Sequence, residues 1–312
     1  MKRRTFLSSA IAMAGLATSS YAHTSTPVLS PADFSKGQKF ARTRFGDIAY
    51  YETGKGQAAL FLHGFPLNGY QWRHQLSALS PLRHCIAPDF LGVGATRVNS
   101  MQSVTPSDQA AMLAELLDTL KIDSVDLIAN DSGGAVAQLF LVNNPGRVRT
   151  LLLTNCDTEK DCPPPQLVPL IELARTDTFI KYYLGPSLAD KAKARSPQGL
   201  IGATFTRPHE VKDATIEMYL APLVANRAGA NAYLLALEDN SLAGIETKLR
   251  QVDTPVRIVW GTGDTVFRQD SPAYLDGLFR NSRGVRRIDG AKLFFAEEYP
   301  AQLTAELTAL WS

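Results

Sequence analysis

Leu127-Ile128-Ala129-Asn130-Asp131-Ser132-Gly133-Gly134-Ala135 sets an aspartate where a strand should hand over to a helix. Upstream, residues 124–129 form a short, mainly apolar run with the length of a buried strand. Downstream, residues 133–144 read as a helix that opens on small side chains. With Ala129 and Gly133 as small neighbours, Asp131 has the layout of a nucleophile elbow, the sharp turn that lifts one side chain above a parallel sheet. A carboxylate there implies attack on carbon and an alkyl–enzyme ester, rather than serine chemistry on an acyl group. The plain competing reading is a strand end at which Asp131-Ser132 merely caps a helix.

Around this stretch, the pattern predicts strands at 43–52, 57–63, 84–87, 124–129, 148–154, 256–260 and 285–288. Helices are expected at 68–77 and from Ser107, taken as a cap, with Met112, Leu116, Leu117 and Leu120 as its apolar face. Strands alternating with helices imply parallel pairing with right-handed crossovers. Residues 158–245 break the alternation: Cys162-Pro163-Pro164-Pro165 opens the region, and helical patterns follow at 166–174, 214–221 and 228–237. Residues 23–39, rich in Ser, Thr and Pro, read as a flexible lead-in.

The first 22 residues read as a signal peptide, with a basic start, an apolar middle and small residues before a cut after Ala22. Arg3-Arg4 with Phe6-Leu7 resembles a twin-arginine export signal, so export to the periplasm is expected. A retained anchor is the competing reading, but the apolar stretch is short for the ~20 residues a span needs. Losing Lys2, Arg3 and Arg4 takes the net charge from +2 to −1, which gives nucleic-acid binding no support. No later apolar span predicts stable membrane insertion. The three cysteines are Cys85, Cys156 and Cys162; spacing lets the last two bridge without showing that they do. No cysteine–histidine spacing implies a metal, and no glycine-rich loop implies a nucleotide, so no cofactor is expected.

Four motifs in order resemble the α/β-hydrolase superfamily, on its haloalkane dehalogenase and epoxide hydrolase side. Phe61-Leu62-His63-Gly64-Phe65-Pro66 is similar to the oxyanion loop, and Pro88-Asp89-Phe90-Leu91-Gly92-Val93-Gly94 to the loop after the fourth strand. Asp131-Ser132-Gly133-Gly134 is similar to the elbow, and Val259-Trp260-Gly261-Thr262-Gly263-Asp264 to the turn carrying the acid of the triad. The resemblance implies a mostly parallel eight-stranded sheet with helices on both faces. Residues 40–157 and 246–312 would form this core, and 158–245 a helical cap, with an independent helical domain as the alternative. It also implies Asp131 as nucleophile, Asp264 as the orienting acid, and the N–H groups of Phe65 and Ser132 as the oxyanion hole. His63 is then a support of its loop rather than the base.

The family's base histidine is missing. Residues 288–298 match the last strand and loop, and Leu293 stands at the histidine position. No histidine follows His209. His209 in the cap and Lys292 beside the vacant position are candidates to stand in for it. Asp157, at the end of the sixth strand, offers a second carboxylate at the same rim, with a cap role or solvation as its competing reading. Ser132 is the runner-up nucleophile, with Asn130 as its near neighbour. Ser132 also stands where dehalogenases often carry a halide-holding tryptophan, which tilts the resemblance toward epoxide hydrolases, whose cap tyrosines activate the ring oxygen. Tyr182, Tyr183, Tyr219 and Tyr233 are the candidates. The reading is a hydrolase of a small epoxide, alkyl halide or ester. Its alternatives are a lyase or isomerase on the same fold, and a binding protein that has lost turnover. Oligomeric state is not legible.

Overall fold

The computed structural model describes residues 27–99 and 101–312, so the expected signal peptide lies outside the described residues. Eight strands form one sheet: β1 (Lys39–Thr43), β2 (Gly46–Thr53), β3 (Ala58–Leu62), β4 (His84–Pro88), β5 (Val125–Asp131), β6 (Val148–Cys156), β7 (Val256–Gly261) and β8 (Ser282–Ile288). Their order is β1-β2-β4-β3-β5-β6-β7-β8. β2 pairs antiparallel with β1 and β4, and every other pairing is parallel.

β3 and β5 are buried at every position, as strands covered by helices on both faces must be. Asp126 lies near the start of β5. Its carboxylate is held by Arg83 (2.9 Å), Arg149 (3.0 Å) and the Thr150 hydroxyl (3.0 Å), so the buried charge is paired.

The helices nearest the site are α1 (Pro31–Gly37), α2 (Arg73–Leu79), α3 (Pro106–Thr119), α4 (Ser132–Asn143) and α5 (Val168–Arg175). α3 is capped two residues earlier than its sequence pattern implied. Thr105, not Ser107, is the cap, because Pro106 takes the first helical position and the Thr105 hydroxyl accepts the Asp108 N–H.

The reading of 23–39 as flexible is corrected for residues 31–37. Ser30 caps α1, and Phe34 is fully buried, stacked on Tyr51 (4.9 Å between centroids) and edge-on to Tyr70 (5.3 Å). One aromatic anchor outweighed the polar composition of its neighbours.

Between β6 and β7 the chain leaves the sheet and forms a set of helices, including α5, Asp213–Ala225 and Arg227–Ala236. Their apolar residues Phe179, Leu184, Tyr219 and Tyr233 belong to the same buried cluster as Phe61 and Phe65 of the core. The helices therefore sit on the sheet domain as a cap with a shared interior. The cysteines Cys85, Cys156 and Cys162 are all free thiols. Among the described residues no helix is long and apolar enough to cross a membrane.

Phe34→Ala should cost about 3–5 kcal/mol in urea unfolding, the usual penalty for deleting a buried phenyl ring. A loss below about 0.5 kcal/mol would show that the segment contributes nothing to the fold.

Candidate active site

Asp131 ends β5 with φ 55° and ψ −134°, a backbone state that costs a non-glycine residue about 1–3 kcal/mol. The turn closes only because its neighbours are small. A Cβ on Gly64 would lie 2.5 Å from the Asp131 side chain, and one on Gly133 would lie 2.5 Å from the His63 carbonyl. This close approach lets the Phe65 N–H donate to Asp131 Oδ2 at 2.7 Å. Of the two expected oxyanion-hole donors, the Phe65 N–H thus already holds the carboxylate, and Ser132 follows it directly in the chain.

The strand ends are tied together by two amides that sequence reasoning left without these roles. Asn130 accepts from Gln71 Nε2 (2.6 Å) and donates to the carbonyls of Asn155 (3.0 Å) and Leu293 (3.2 Å). Gln71 also accepts the Gly64 N–H at 2.9 Å, which fixes the loop that carries Phe65. Asn155 donates to Asp264 Oδ2 (2.8 Å) and exchanges hydrogen bonds with the backbone of Gly261. Gln71 and Asn155 lay in no recognised motif, and only the fold brings them to their partners.

Asp264 follows β7, buried, and accepts further N–H bonds from Val266 (2.8 Å) and Phe267 (3.4 Å). Burial lifts its carboxyl to about 6 against these donors. Burial likewise lifts Asp131 to about 7, the Ser132 and Phe65 N–H bonds oppose the rise, and the nearby Asp264 charge adds to it. Asp157 is buried directly after β6, and burial followed by the charges of Asp131 and Asp161 pushes it well above the ordinary carboxylate range. Three buried carboxyl groups therefore share this region.

His63 is fully buried, with Nδ1 donating to the Gly64 carbonyl (2.9 Å) and Nε2 accepting the Phe90 N–H (3.1 Å). Burial depresses it to about 4, so it is neutral and its two nitrogens are committed to the loops. Leu293 is buried. Lys292 points away from the elbow: its ammonium donates to the Gly202 carbonyl (2.7 Å), and its N–H to Thr206 Oγ1 (3.1 Å). His209 is exposed on a short turn of helix, Pro208–Glu210, far in environment from the buried carboxylates. Of the stand-in bases expected from sequence, neither His209 nor Lys292 is brought to Asp131 or Asp264. Among the described residues His74 and His84 do not reach them either; His84 pairs with Glu52 at 2.7 Å, and His74 lies on α2.

Of the four cap tyrosines, Tyr233 alone hydrogen-bonds at the elbow, its hydroxyl 3.2 Å from Ser132 Oγ and its ring stacked on Phe65 at 4.9 Å. Tyr219 is instead committed to Glu297 (2.6 Å) and Arg73 (3.2 Å), Tyr182 is exposed, and Tyr183 stacks on Phe179. Phe65 also packs against Phe179 at 6.1 Å between centroids, and Asp131 is 8% exposed. A cavity of about 590 Å³ lies elsewhere, lined by Tyr70, Arg73, His74, Phe205 and Glu297 but not by Asp131. The chemistry-bearing groups, not this volume, mark the site.

Raised carboxyl groups make stability depend on pH. Native Asp131 and Asp264 hold protons up to about 7 and about 6, whereas unfolded carboxyls release them near ~3.9. The native state binds more protons across that window, so stability should fall as pH rises from about 4 to 7. Asp131→Asn should flatten the fall and gain on the order of 2–4 kcal/mol at pH 8. Urea midpoints from pH 5 to 8 check this, and a flat wild-type profile would refute it.

A family model described as alpha/beta hydrolase fold matches residues 59–299. "Haloalkane dehalogenase 2" of Mycobacterium bovis is 31% identical over 276 residues, which cover 84% of this chain and 90% of that protein. "Epoxide hydrolase 2" of Siraitia grosvenorii is 45% identical over 101 residues, a match that spans only 32% of either chain. The solved structure of the epoxide hydrolase CorEH superposes with a TM-score of 0.72 at 19% identity, covering 88% of this chain and 98% of that one, a likeness of fold alone. The protein belongs to the α/β-hydrolase fold family, and its relatives include epoxide hydrolases and haloalkane dehalogenases.

Proposed function

We propose that the protein is a hydrolase that opens a small epoxide through an ester on Asp131. The observation that carries this reading is the Asp131 carboxylate itself, set on a strained turn with Oδ2 held by the Phe65 N–H and a cap tyrosine next to Ser132. Oδ2 becomes the carbonyl oxygen of the ester, and Oδ1 attacks the ring carbon. Tyr233 hydrogen-bonds the ring oxygen as its bond to carbon breaks. In the closed, dry site the attacking carboxylate is poorly hydrated, which raises its reactivity. When water later attacks the ester, the Phe65 and Ser132 N–H groups stabilise the oxyanion. Ser132 beside Asp131 offers no indole for a halide, and this favours an epoxide over an alkyl halide.

The weak point of this machinery is release. An imidazole base is typically worth ~10²–10⁴-fold, or roughly 3–5 kcal/mol of barrier. With Leu293 in its place, the ester should form faster than it breaks down. Incubation with styrene oxide followed by intact mass and peptide mapping should reveal an adduct on Asp131. Asp131→Asn should abolish the adduct, and Leu293→His should shorten its life. Absence of both adduct and turnover over a broad epoxide panel, in folded protein, would instead support a binding role. From Arg3-Arg4 and the apolar residues that follow, we also propose export, which cell fractionation of the wild type and an Arg3→Lys, Arg4→Lys double variant would test.

A further inference from the structure

We infer that Gln71 and Asn130 are positioning residues for ester chemistry at this site, one amide relay that sets the Phe65 N–H against the Asp131 carboxylate. The inference rests on the reading of Asp131 as the nucleophile. Neither side chain hydrogen-bonds that carboxylate; both act on the backbone to either side of the 2.7 Å contact.

Both residues are fully buried, Gln71 on a short 3₁₀ turn (Gly69–Trp72) and Asn130 on β5 directly before Asp131. Backbone groups at the two ends of the relay fix the orientation of each amide. The Gly64 N–H can only donate, so Gln71 presents Oε1 to it, at 2.9 Å. That turns Gln71 Nε2 toward Asn130, which must present Oδ1, at 2.6 Å. Asn130 is left with Nδ2 for the carbonyls of Asn155 (3.0 Å) and Leu293 (3.2 Å), which can only accept. Every bond agrees on one arrangement, and reversing either amide would set donor against donor or acceptor against acceptor.

The relay governs one particular peptide. The C=O of Gly64 and the N–H of Phe65 belong to the same planar trans unit and point in opposite directions. The C=O is held by the Leu67 N–H (2.9 Å) and His63 Nδ1 (2.9 Å), while Gln71 holds the adjoining peptide by the Gly64 N–H. Gly64, lacking a Cβ, has the freest torsions in this loop, so holding both of its peptides is what aims the Phe65 N–H at Oδ2. On the other side, Asn130 ties the end of β5 to the end of β6 and to the loop after β8, so the backbone of the nucleophile cannot recede. Both members are neutral, so they add no charge to a region where Asp131, Asp157 and Asp264 are already buried. Loss of the relay would leave the carboxylate intact and loosen its donor, which lowers the rate of the bond-making step rather than the affinity for substrate.

The test follows adduct formation with styrene oxide by quenched intact mass, over a range of styrene oxide concentrations, in variants shown to be folded by circular dichroism. Gln71→Met, similar in length but without the amide, should lower the limiting rate about 10- to 10²-fold and leave the half-saturating concentration within about two-fold. Infrared difference spectra of the adduct give a readout that a merely structural role would not move. The ester carbonyl oxygen is Oδ2, so its stretch should shift to higher frequency in Gln71→Met as the Phe65 N–H polarises it less. Asn130→Ser, too short to reach Gln71, should reproduce both changes and stands in if Gln71→Met does not fold. The double variant should be no slower than the worse single variant by more than about three-fold, because the relay is already broken. An adduct in the wild type with rate and stretch unchanged in Gln71→Met, or in Asn130→Ser standing in for it, overturns the relay alone. So do single-variant losses that multiply in full in the double variant. No adduct in the wild type overturns the nucleophile reading and this inference together.

Discussion

The 2.7 Å hydrogen bond from the Phe65 N–H to Asp131 Oδ2 is the contact on which the site is organised, because it exists only if two loops from adjacent strands almost touch. β3 and β5 run parallel with Leu62 opposite Ala129, so their C-terminal ends arrive at the same level. Gly64 and Gly133 remove the side chains that would hold those ends apart. Gln71 then grips the loop at the Gly64 N–H and the strand at Asn130. The elbow's backbone strain, about 1–3 kcal/mol, is offset by these buried hydrogen bonds, each worth about 1 kcal/mol. The Phe65 N–H is thus fixed on the carboxylate by the fold alone.

The loop after β8 keeps its architecture while lacking the group that chemistry would ask of it. Asn130 holds the Leu293 carbonyl, and Phe294 N donates to the Thr204 carbonyl of the cap at 3.1 Å. Glu298 accepts the N–H groups of Thr206 (2.8 Å) and Arg207 (2.6 Å), and Glu297 accepts from Arg73 and Tyr219. This loop therefore clamps the cap to the core through its backbone and its acids, none of which needs an imidazole at position 293. The packing of this loop is maintained with a buried leucine at position 293.

Much of this was legible in the chain, and the limits have physical causes. The elbow could be read because a tight turn demands small neighbours, and those demands are local. The buried parallel strands were equally plain, since they are short apolar runs, whereas the antiparallel edge strand β1, mostly unburied, was not read. α1 was missed because a single phenylalanine, Phe34, docks a segment of otherwise polar composition, and docking depends on Tyr51 and Tyr70 from elsewhere in the chain. Lys292 and His209 could be named from sequence, but only the cap's packing shows one donating to Gly202 and the other facing solvent. The choice of Tyr233 among four tyrosines, and the parts played by Gln71 and Asn155, arise from contacts between residues tens of positions apart.

Three buried carboxyls with no cation among their described partners pose an electrostatic problem that the fold solves with dipoles and protons. Repulsion between like charges at low dielectric forbids full ionisation, so the number of N–H donors decides where charge resides. Asp264 accepts three such bonds, from Asn155, Val266 and Phe267, and Asp131 accepts the Phe65 N–H. Burial pushes all three carboxyls upward, Asp157 well above the ordinary carboxylate range, so the fold favours the neutral acid wherever N–H donors are few.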